Sequence, residues 1–177
     1  MAFLRRNDPS IGYITKSIRL IVSHDKNYGI GYRGRIPWRC PKDMTHFRDV
    51  TSATLDPDKQ NAVLMGRKTC ESLHGRCLPN RFNACVSSTK QGGMDATYNS
   101  VSEAVCALSQ NPNIEAIFVI GGVHIYREVL ETFDVDTMYV TCIHLEFPID
   151  REVKFLPTYL KNRSVERVLG TSDFDIF

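Results

Sequence analysis

The sequence predicts an α/β domain in which a central, mostly parallel twisted sheet is flanked by helices. Short runs of β-branched residues alternate along the chain with segments of helical periodicity. One run, Ala116–Ile120 (AIFVI), is apolar throughout, which is typical of a strand covered on both faces in the middle of a parallel sheet. We expect a flexible N-terminal tail over residues 1–16 and a single domain over residues 17–177.

The chain up to Leu73 contains two predicted strands and two predicted helices. Ile18–Ser23 (IRLIVS) is rich in β-branched residues and predicts the first strand. A glycine-punctuated loop over Tyr28–Arg39 follows. A helix then begins at Pro41, because proline suits the first helical turn, where its missing N–H costs nothing. Asn61–Met65 (NAVLM) predicts the second strand, and Lys68–Leu73 a short helix.

The chain after Leu73 continues the same alternation. Asn83–Ser87 (NACVS) predicts a third strand and Val101–Ser109 an amphipathic helix. The buried strand over Ala116–Ile120 ends at Gly121-Gly122, which leads into a helix over Ile125–Glu131. The remaining strands are expected at Thr137–Ile143 and Ser164–Gly170.

Composition limits the classes of function. A net charge of +2, with acidic and basic residues interleaved, gives no support to nucleic-acid or membrane binding. No apolar run approaches the length of a membrane span. The six cysteines form no CxxC pair and show no zinc spacing, so we expect free thiols in a reducing cytoplasm and no metal site.

Asp43 is the first candidate for chemistry. At about 100° per residue it falls within the apolar arc of its helix, beside Met44, Phe47, Val50 and Thr51. A carboxylate that faces the interior is costly unless a partner binds it. The alternative is a solvated acid in the first turn, where the helix dipole favours a negative charge.

Three predicted strands end in residues that suit a phosphate. Gly121-Gly122 allows backbone N–H groups to approach a phosphate closely, although Tyr126 stands where a full GxGxxG pattern would have its third glycine. Another strand leads into Arg67, Lys68 and Thr69, and a third into Ser87-Ser88-Thr89. Each site alone could be an ordinary polar turn. Together they indicate a dinucleotide across the carboxyl ends of the strands, and the two cations favour NADP(H) over NAD(H).

Two further sets of residues are less specific. Arg81 follows a turn that contains proline, and it could clamp a carboxylate if a ligand pocket lies nearby; an ordinary surface arginine is the alternative. The five histidines show no metal-ligand spacing and are expected at the surface or in packing roles.

An ordered set of short motifs between Ile18 and Pro157 resembles the dihydrofolate reductase family. The motifs are Ile30-Gly31 with Ile36-Pro37-Trp38, Pro41-Lys42-Asp43 with Phe47 and Thr51, Met65–Thr69, Leu78–Arg81, Ser87-Ser88, Ile120–Gly122 with Ile125-Tyr126, and Tyr139–Thr141. The resemblance implies that fold, and the reduction of 7,8-dihydrofolate to 5,6,7,8-tetrahydrofolate with NADPH. It also implies a role in one-carbon metabolism and thymidylate synthesis, and competition by antifolates.

The resemblance also implies roles for individual residues. Asp43 would promote protonation of the pterin, Thr141 would be its hydrogen-bonded partner, and Trp38 would hold an ordered water nearby. Arg81 would bind the glutamate tail. The substrate slot would be completed by Ile21, Val22, Met44, Phe47, Leu73, Leu78 and Ile120. NADPH would be bound by Ser23, Ile30, Gly31, Arg67, Lys68, Thr69, Ser87, Ser88, Gly121, Gly122, Val123, His124, Ile125 and Tyr126, beneath a mobile lid around Tyr32–Ile36.

The chain departs from the family pattern at three places. Cys70 stands where tryptophan is common, which is expected to change packing and not chemistry. His124 replaces a more usual polar or basic residue near the cofactor phosphates. The chain after Pro157 is shorter than the usual closing hairpin. Phe174–Phe177 is expected either to form a shortened last strand or to mark where a longer bifunctional protein, such as one fused to thymidylate synthase, is divided.

Two other functions are weighed against the reductase. A related reductase of a pyrimidine ribosylamine generally lacks the Pro-Trp loop and an acid at the position of Asp43. An inactive nucleotide-binding homologue would not need the complete set of site residues, although the short C-terminus leaves this reading open.

Overall fold

A computed structural model describes residues 16–161, 163, 164, 166 and 168–177. The predicted tail over residues 1–16 lies outside the described residues, apart from Lys16. The ten strands of the described ranges are β1 Ser17–His24, β2 Gly29–Gly31, β3 Gln60–Gly66, β4 Arg81–Val86, β5 Ala96–Tyr98, β6 Ile114–Gly121, β7 Thr137–Ile143, β8 Arg151–Glu152, β9 Leu169–Gly170 and β10 Phe174–Ile176.

Eight of these strands form one sheet in the order β5-β4-β3-β6-β1-β7-β10-β9. The six strands from β5 to β7 run parallel to one another, whereas β10 is antiparallel to both β7 and β9. The predicted fold class, a mostly parallel sheet flanked by helices, is therefore confirmed. The apolar run Ala116–Ile120 lies in β6, between β3 and β1, and Ile117, Phe118 and Val119 are fully buried there.

Helices cover the two faces of the sheet, and each face has its own apolar cluster. The helices are α1 Pro41–Ser52, α2 Arg67–Ser72, α3 Val101–Gln110, α4 Val123–Thr132 and α5 Leu156–Leu160. Side chains of α3, α4 and α5 pack in the larger cluster. Side chains of α1 and α2 pack in the second cluster, with Ile21, Val63, Met65 and Phe118 of the sheet. We call the second side the α1 face, and it carries Asp43.

The closing segment differs from its prediction in length. The strand expected over Ser164–Gly170 is wrong in extent: positions 165 and 167 lie outside the described residues, and the strand there covers Leu169–Gly170. The alternative of a short last strand at the C-terminal end is confirmed, since Phe174–Ile176 pairs with β7. Ile143, Phe174 and Ile176 form a third apolar cluster against which Trp38 packs.

A second, two-stranded sheet was not predicted. It pairs β2 with β8, and both strands are too short for an alternating pattern to show in sequence. The carboxylate of Asp25, which is fully buried, organises the turn before β2. Asp25 Oδ1 accepts bonds from the N–H groups of Asn27 (2.9 Å) and Gly29 (2.7 Å), while Oδ2 accepts one from Phe147 (3.1 Å). One buried acid therefore joins the end of β1 to the chain after β7.

None of the helices among the described residues is long and apolar enough to cross a bilayer.

The structure predicts that stability falls in acid because of His24. This histidine is 5% exposed, its Nδ1 donates to the Asp25 carbonyl at 2.7 Å, and its ring stacks on Tyr28. Burial lowers the pKa of His24. The unfolded chain therefore binds a proton, near pH 6.5, that the folded protein does not, so stability is complete above that pH and decreases below it.

Urea unfolding at about pH 7 and about pH 5 measures this dependence. We expect a lower free energy of unfolding at the lower pH, and a smaller difference between the two values in His24→Phe. The exposed His74 provides the control, since His74→Phe should keep the wild-type difference. An unchanged difference in His24→Phe would contradict the assignment.

Candidate active site

Asp43 and Thr141 are brought together from positions 98 residues apart in sequence. The Thr141 hydroxyl donates a 2.6 Å hydrogen bond to Asp43 Oδ1. Asp43 lies in the first turn of α1, which begins at Pro41, and Thr141 is a buried residue (3% exposed) of β7. The carboxylate that the helical pattern placed on the inner side of α1 is thus half-buried and bonded, as a carboxylate inside a protein must be.

Alternate residues of β7 face the α1 side, and each contacts a different part of the chain. The ring of Tyr139 packs near that of His46, with the centroids 6.1 Å apart. Thr141 binds Asp43. Ile143 belongs to the third cluster, against which Trp38 packs. The two-residue period of a strand therefore aligns His46, Asp43 and Trp38 along one side of β7. Trp38 also packs on Phe147, at 5.6 Å between centroids.

An apolar surface adjoins Asp43 on the α1 face. Ile21 is buried, and four partly buried residues pack against the same cluster: Phe47, Leu73, Leu78 and Ile120. Met44 is 57% exposed on the same helix as Asp43. The expectation that the Val22 side chain lines this slot is wrong, because it packs in the larger cluster on the opposite face. The alternation of side chains along β1 explains the difference, since neighbours in a strand point to opposite faces.

Tyr126 and Gly121 determine how the first turn of α4 packs against the sheet. The buried hydroxyl of Tyr126 donates to the Ile21 carbonyl at 2.8 Å. Burial, together with the Asp43 charge, raises the pKa of Tyr126. Gly121 has φ +103°, and a Cβ there would lie 2.9 Å from the Tyr126 ring. Both features exclude a side chain at this turn. Ile125 and Tyr126 are 7% and 6% exposed, and their contribution to a cofactor site stays a prediction.

Three strand ends lie side by side at one edge of the sheet. Met65 of β3 is in register with Gly121 of β6, and Gly66 is in register with Val86 of β4. Gly66 and Gly122 are the N-caps of α2 and α4, and neither helix has a side-chain cap. Thr69 Oγ1 lies 3.6 Å from the point where a Gly122 Cβ would stand. The two glycine turns and a hydroxyl therefore surround uncapped backbone N–H groups, the arrangement that suits an anion.

The third strand end opens onto a cavity of about 400 Å³. The cavity is lined by Ser87, Ser88, Lys90, Met94, Asp95, Ala96, Thr97 and Asn99. Around the neighbouring turn Lys68 is exposed, and Arg67 forms an ion pair with Glu71 one turn along α2. His124 is exposed in the first turn of α4. Val123, beside it, packs partly into the larger cluster.

Arg81 is buried, not on the surface. It is 7% exposed, its Nη1 donates to Thr51 Oγ1 at 2.9 Å, and its Nε donates to the Pro79 carbonyl at 2.9 Å. Its guanidinium lies 5.9 Å from the centre of the Phe47 ring, next to the apolar slot. Burial, with Arg48 nearby, lowers the pKa of Arg81. A held guanidinium beside an apolar slot is suited to bind a carboxylate.

The loop after β1 is held by two acids that sequence reasoning missed. Asp150 Oδ2 accepts from the Arg33 N–H at 3.0 Å, and the Asp150 N–H donates to the Gly31 carbonyl at 3.0 Å. Asp25 anchors the start of the loop, as described above. The bond from the Asn27 N–H to Asp25 Oδ1, two residues on, is an Asx turn, and an aspartate directly after a strand is the sequence signal for it. Ile30 and Gly31 lie in β2, which follows this turn, and Ser23 is the second-last residue of β1.

The described residues contain no group of three or more histidine, cysteine or acidic side chains that could hold a metal ion. All six cysteines are free thiols. Cys70, one of the three departures expected from the sequence, is buried in the cluster of the α1 face.

Comparison with known proteins matches this chain to one family. The model described as dihydrofolate reductase matches residues 17–165. Dihydrofolate reductase of Saccharomyces cerevisiae is 37% identical over 169 residues, which cover 88% of this chain and 77% of the relative. Bifunctional dihydrofolate reductase-thymidylate synthase of Daucus carota is 40% identical over 174 residues, which cover 88% of this chain but 32% of the relative. The chain thus spans about a third of the bifunctional relative.

The bond between Thr141 and Asp43 predicts a stability effect. Thr141→Val keeps the shape of the side chain but removes the donor, so we expect the free energy of unfolding to fall by about 1–2 kcal/mol. Urea unfolding measures it, and Thr137→Val, at an exposed position of the same strand, serves as the control. Equal stability of the two variants would show that the bond does not hold α1 to β7.

Proposed function

The chain belongs to the dihydrofolate reductase family, and we propose that it reduces 7,8-dihydrofolate to 5,6,7,8-tetrahydrofolate with NADPH as the reductant. One observation carries the proposal: a threonine-bonded carboxylate, Asp43, lies on the same face of the sheet as the partly buried apolar side chains Phe47, Leu73, Leu78 and Ile120, and the strand ends of this sheet form a glycine-lined cradle. The apolar side chains would form a slot for a flat aromatic ring, and the cradle suits the phosphates of a dinucleotide.

The residues at the strand ends fit the proposed cofactor. The uncapped first turn of α4 at Gly122, with Thr69 beside it, would receive the pyrophosphate. Ser87, Ser88 and Lys90 line the cavity one strand further along, where the adenosine part of a dinucleotide would extend. Arg67 and Lys68 lie between these two places and would attract the additional phosphate that distinguishes NADPH from NADH.

The chain contributes position and charge to the reaction. Bound NADPH supplies a hydride to the C6 atom of the pterin, and a proton must be added at N5. Asp43, ionised and held by the Thr141 hydroxyl, would bind the ring and stabilise the positive charge that accompanies protonation. Ser23, Ile30 and Gly31 would exclude water beside the reacting carbon, and the loop that Asp25 and Asp150 hold would cover them.

The other end of the slot supports the choice of substrate. The aminobenzoyl ring of dihydrofolate would lie among Phe47, Leu73 and Leu78. Arg81, with a guanidinium already fixed by Thr51 and Pro79, would bind the carboxylate of the glutamate tail. Trp38 would retain its predicted role of holding water near Asp43.

The proposed function also suggests a cellular compartment and a partner enzyme for this chain. Free thiols, two of them buried, are typical of a reducing compartment, so we place the activity in the cytoplasm. Dihydrofolate is a product of thymidylate synthesis, and the bifunctional relative is named for both activities. We therefore propose that the chain works with a thymidylate synthase, either as a separate protein or in one polypeptide.

Replacement of the Asp43 charge should remove most of the activity. For Asp43→Asn we expect kcat/KM for dihydrofolate to fall by about 10²–10⁴-fold, because the amide cannot supply the negative charge. Consumption of NADPH with dihydrofolate, followed by absorbance, measures the effect. Asp49→Asn, at an exposed carboxylate of the same helix, should retain wild-type turnover. A wild-type protein without turnover would refute the function, and an active Asp43→Asn would refute the role of Asp43.

Arg67 should select NADPH over NADH. Arg67→Met should raise the Kd of NADPH by about tenfold and that of NADH by less than about twofold, because only NADPH carries the additional phosphate. Glu71→Gln should lower the Kd of NADPH, since it releases Arg67 from its ion pair. Quenching of Trp38, the single tryptophan, reports binding. Equal losses for both cofactors would refute this assignment, with Arg76→Met as the control.

A further inference from the structure

His46 lies one helical turn from Asp43 and is not used by the proposed mechanism. Its ring packs near Tyr139 of β7, two residues before Thr141. Two adjacent contacts therefore join α1 to β7, one by hydrogen bond at Asp43 and one by ring packing at His46. The Nε2 atom of His46 is buried and has no hydrogen-bond partner among the described residues.

Two carboxylates and two guanidinium groups lie around His46. On α1, Asp43 and Asp49 stand three residues before and after it, where side chains are neighbours. The negative charge of Asp49 is offset by a 2.8 Å ion pair with Arg48. Asp43, by contrast, accepts its hydrogen bond from the uncharged hydroxyl of Thr141. On the sheet, the groups that face this region are the Tyr139 phenol and the Arg19 guanidinium, which lies over Phe118 beside Tyr139.

Two opposing effects act on the pKa of His46. Burial lowers the pKa of His46, while the carboxylates of Asp43 and Asp49 raise it in part. The net direction is down, so the ring is neutral at neutral pH and gains its proton only in acid. Phenylalanine would fill the same space against Tyr139, and packing alone therefore does not require a titratable ring.

We propose that His46 is a positioning residue for Asp43, neutral at neutral pH and cationic in acid, where its charge keeps the neighbouring carboxylate ionised. Because coupling between two sites is reciprocal, the Asp43 charge must favour the protonated imidazole by the same free energy as the imidazolium favours the ionised carboxylate. The consequence of the His46 charge for turnover rests on the proposed function. Reduction of dihydrofolate should persist to lower pH than it would with an uncharged ring at position 46.

The coupling is measured without any substrate. NMR titration of the His46 ring in the ligand-free protein gives its pKa, and we expect Asp43→Asn to lower this value by about 0.5 unit. Asp49→Asn should lower it by less, since Asp49 is already paired with Arg48. The ring of His74, exposed after α2, is the internal control and should titrate identically in all three proteins.

The pH profile of turnover tests the consequence. In His46→Phe, which keeps an aromatic ring against Tyr139, the acid limb of kcat/KM should move to higher pH by about 0.5 unit, with little change at neutral pH. His46→Ala would lose the packing as well, so its neutral-pH activity and its stability should also fall. A profile in His46→Phe that matches the wild type would show a packing role only.

The two sets of results separate this proposal from the proposed function. A shift of the His46 titration smaller than about 0.1 unit in Asp43→Asn overturns the proposal, whatever the activity. A protein that shows the shift but does not reduce dihydrofolate would support the coupling and refute the proposed function. His46 remains present in Asp43→Asn, so the titration does not depend on whether the His46 variants fold.

Discussion

The structure depends on giving one inward-facing carboxylate a partner. An unpaired Asp43 on the inner side of α1 would be costly, and the hydroxyl of Thr141 removes much of that cost with a bond of 2.6 Å. The partner lies on β7, 98 residues later, so the bond exists only when the parallel sheet has formed and α1 has docked on it. The fold itself therefore holds the carboxylate of Asp43 in place, on the face of the sheet that carries the apolar cluster of α1 and α2.

Further contacts on either side of the Thr141–Asp43 bond follow from the two-residue period of β7. Tyr139, Thr141 and Ile143 face the same side and meet His46, Asp43 and the cluster of Trp38 in turn. At the neighbouring edge, the register of β3, β4 and β6 brings Gly66, Val86 and Gly121 to one level. Parallel strands collect their carboxyl ends at one edge of a sheet, which is why residues from four distant segments meet without a long loop.

Much of this arrangement could be predicted from the sequence, and the exceptions have physical reasons. The apolar run of β6 predicted the central strand, and the helical arc predicted the inward-facing Asp43. The pairing of Asp43 with Thr141 came only from the family resemblance, because nothing local to either residue indicates a contact across 98 positions.

Val22 was assigned to the wrong face, since a run of apolar residues hides which ones point to which side. Asp25 and Asp150 were missed because an acid whose carboxylate accepts hydrogen bonds from backbone N–H groups looks in sequence like an ordinary loop residue. The burial of Arg81, at the start of β4, depends on Thr51 of α1 and could not be inferred from its turn alone.

If the carboxylate held by Thr141 binds the reacting ring, a crystal structure of the ternary complex with NADP⁺ and folate will show it. We expect both Asp43 oxygens to contact the pterin while the Thr141 hydroxyl remains bonded to the carboxylate, and the nicotinamide ring to lie against the pterin beside Ser23 and Gly31. A pterin bound away from Asp43, or an Asp43 turned to solvent in that complex, would contradict it.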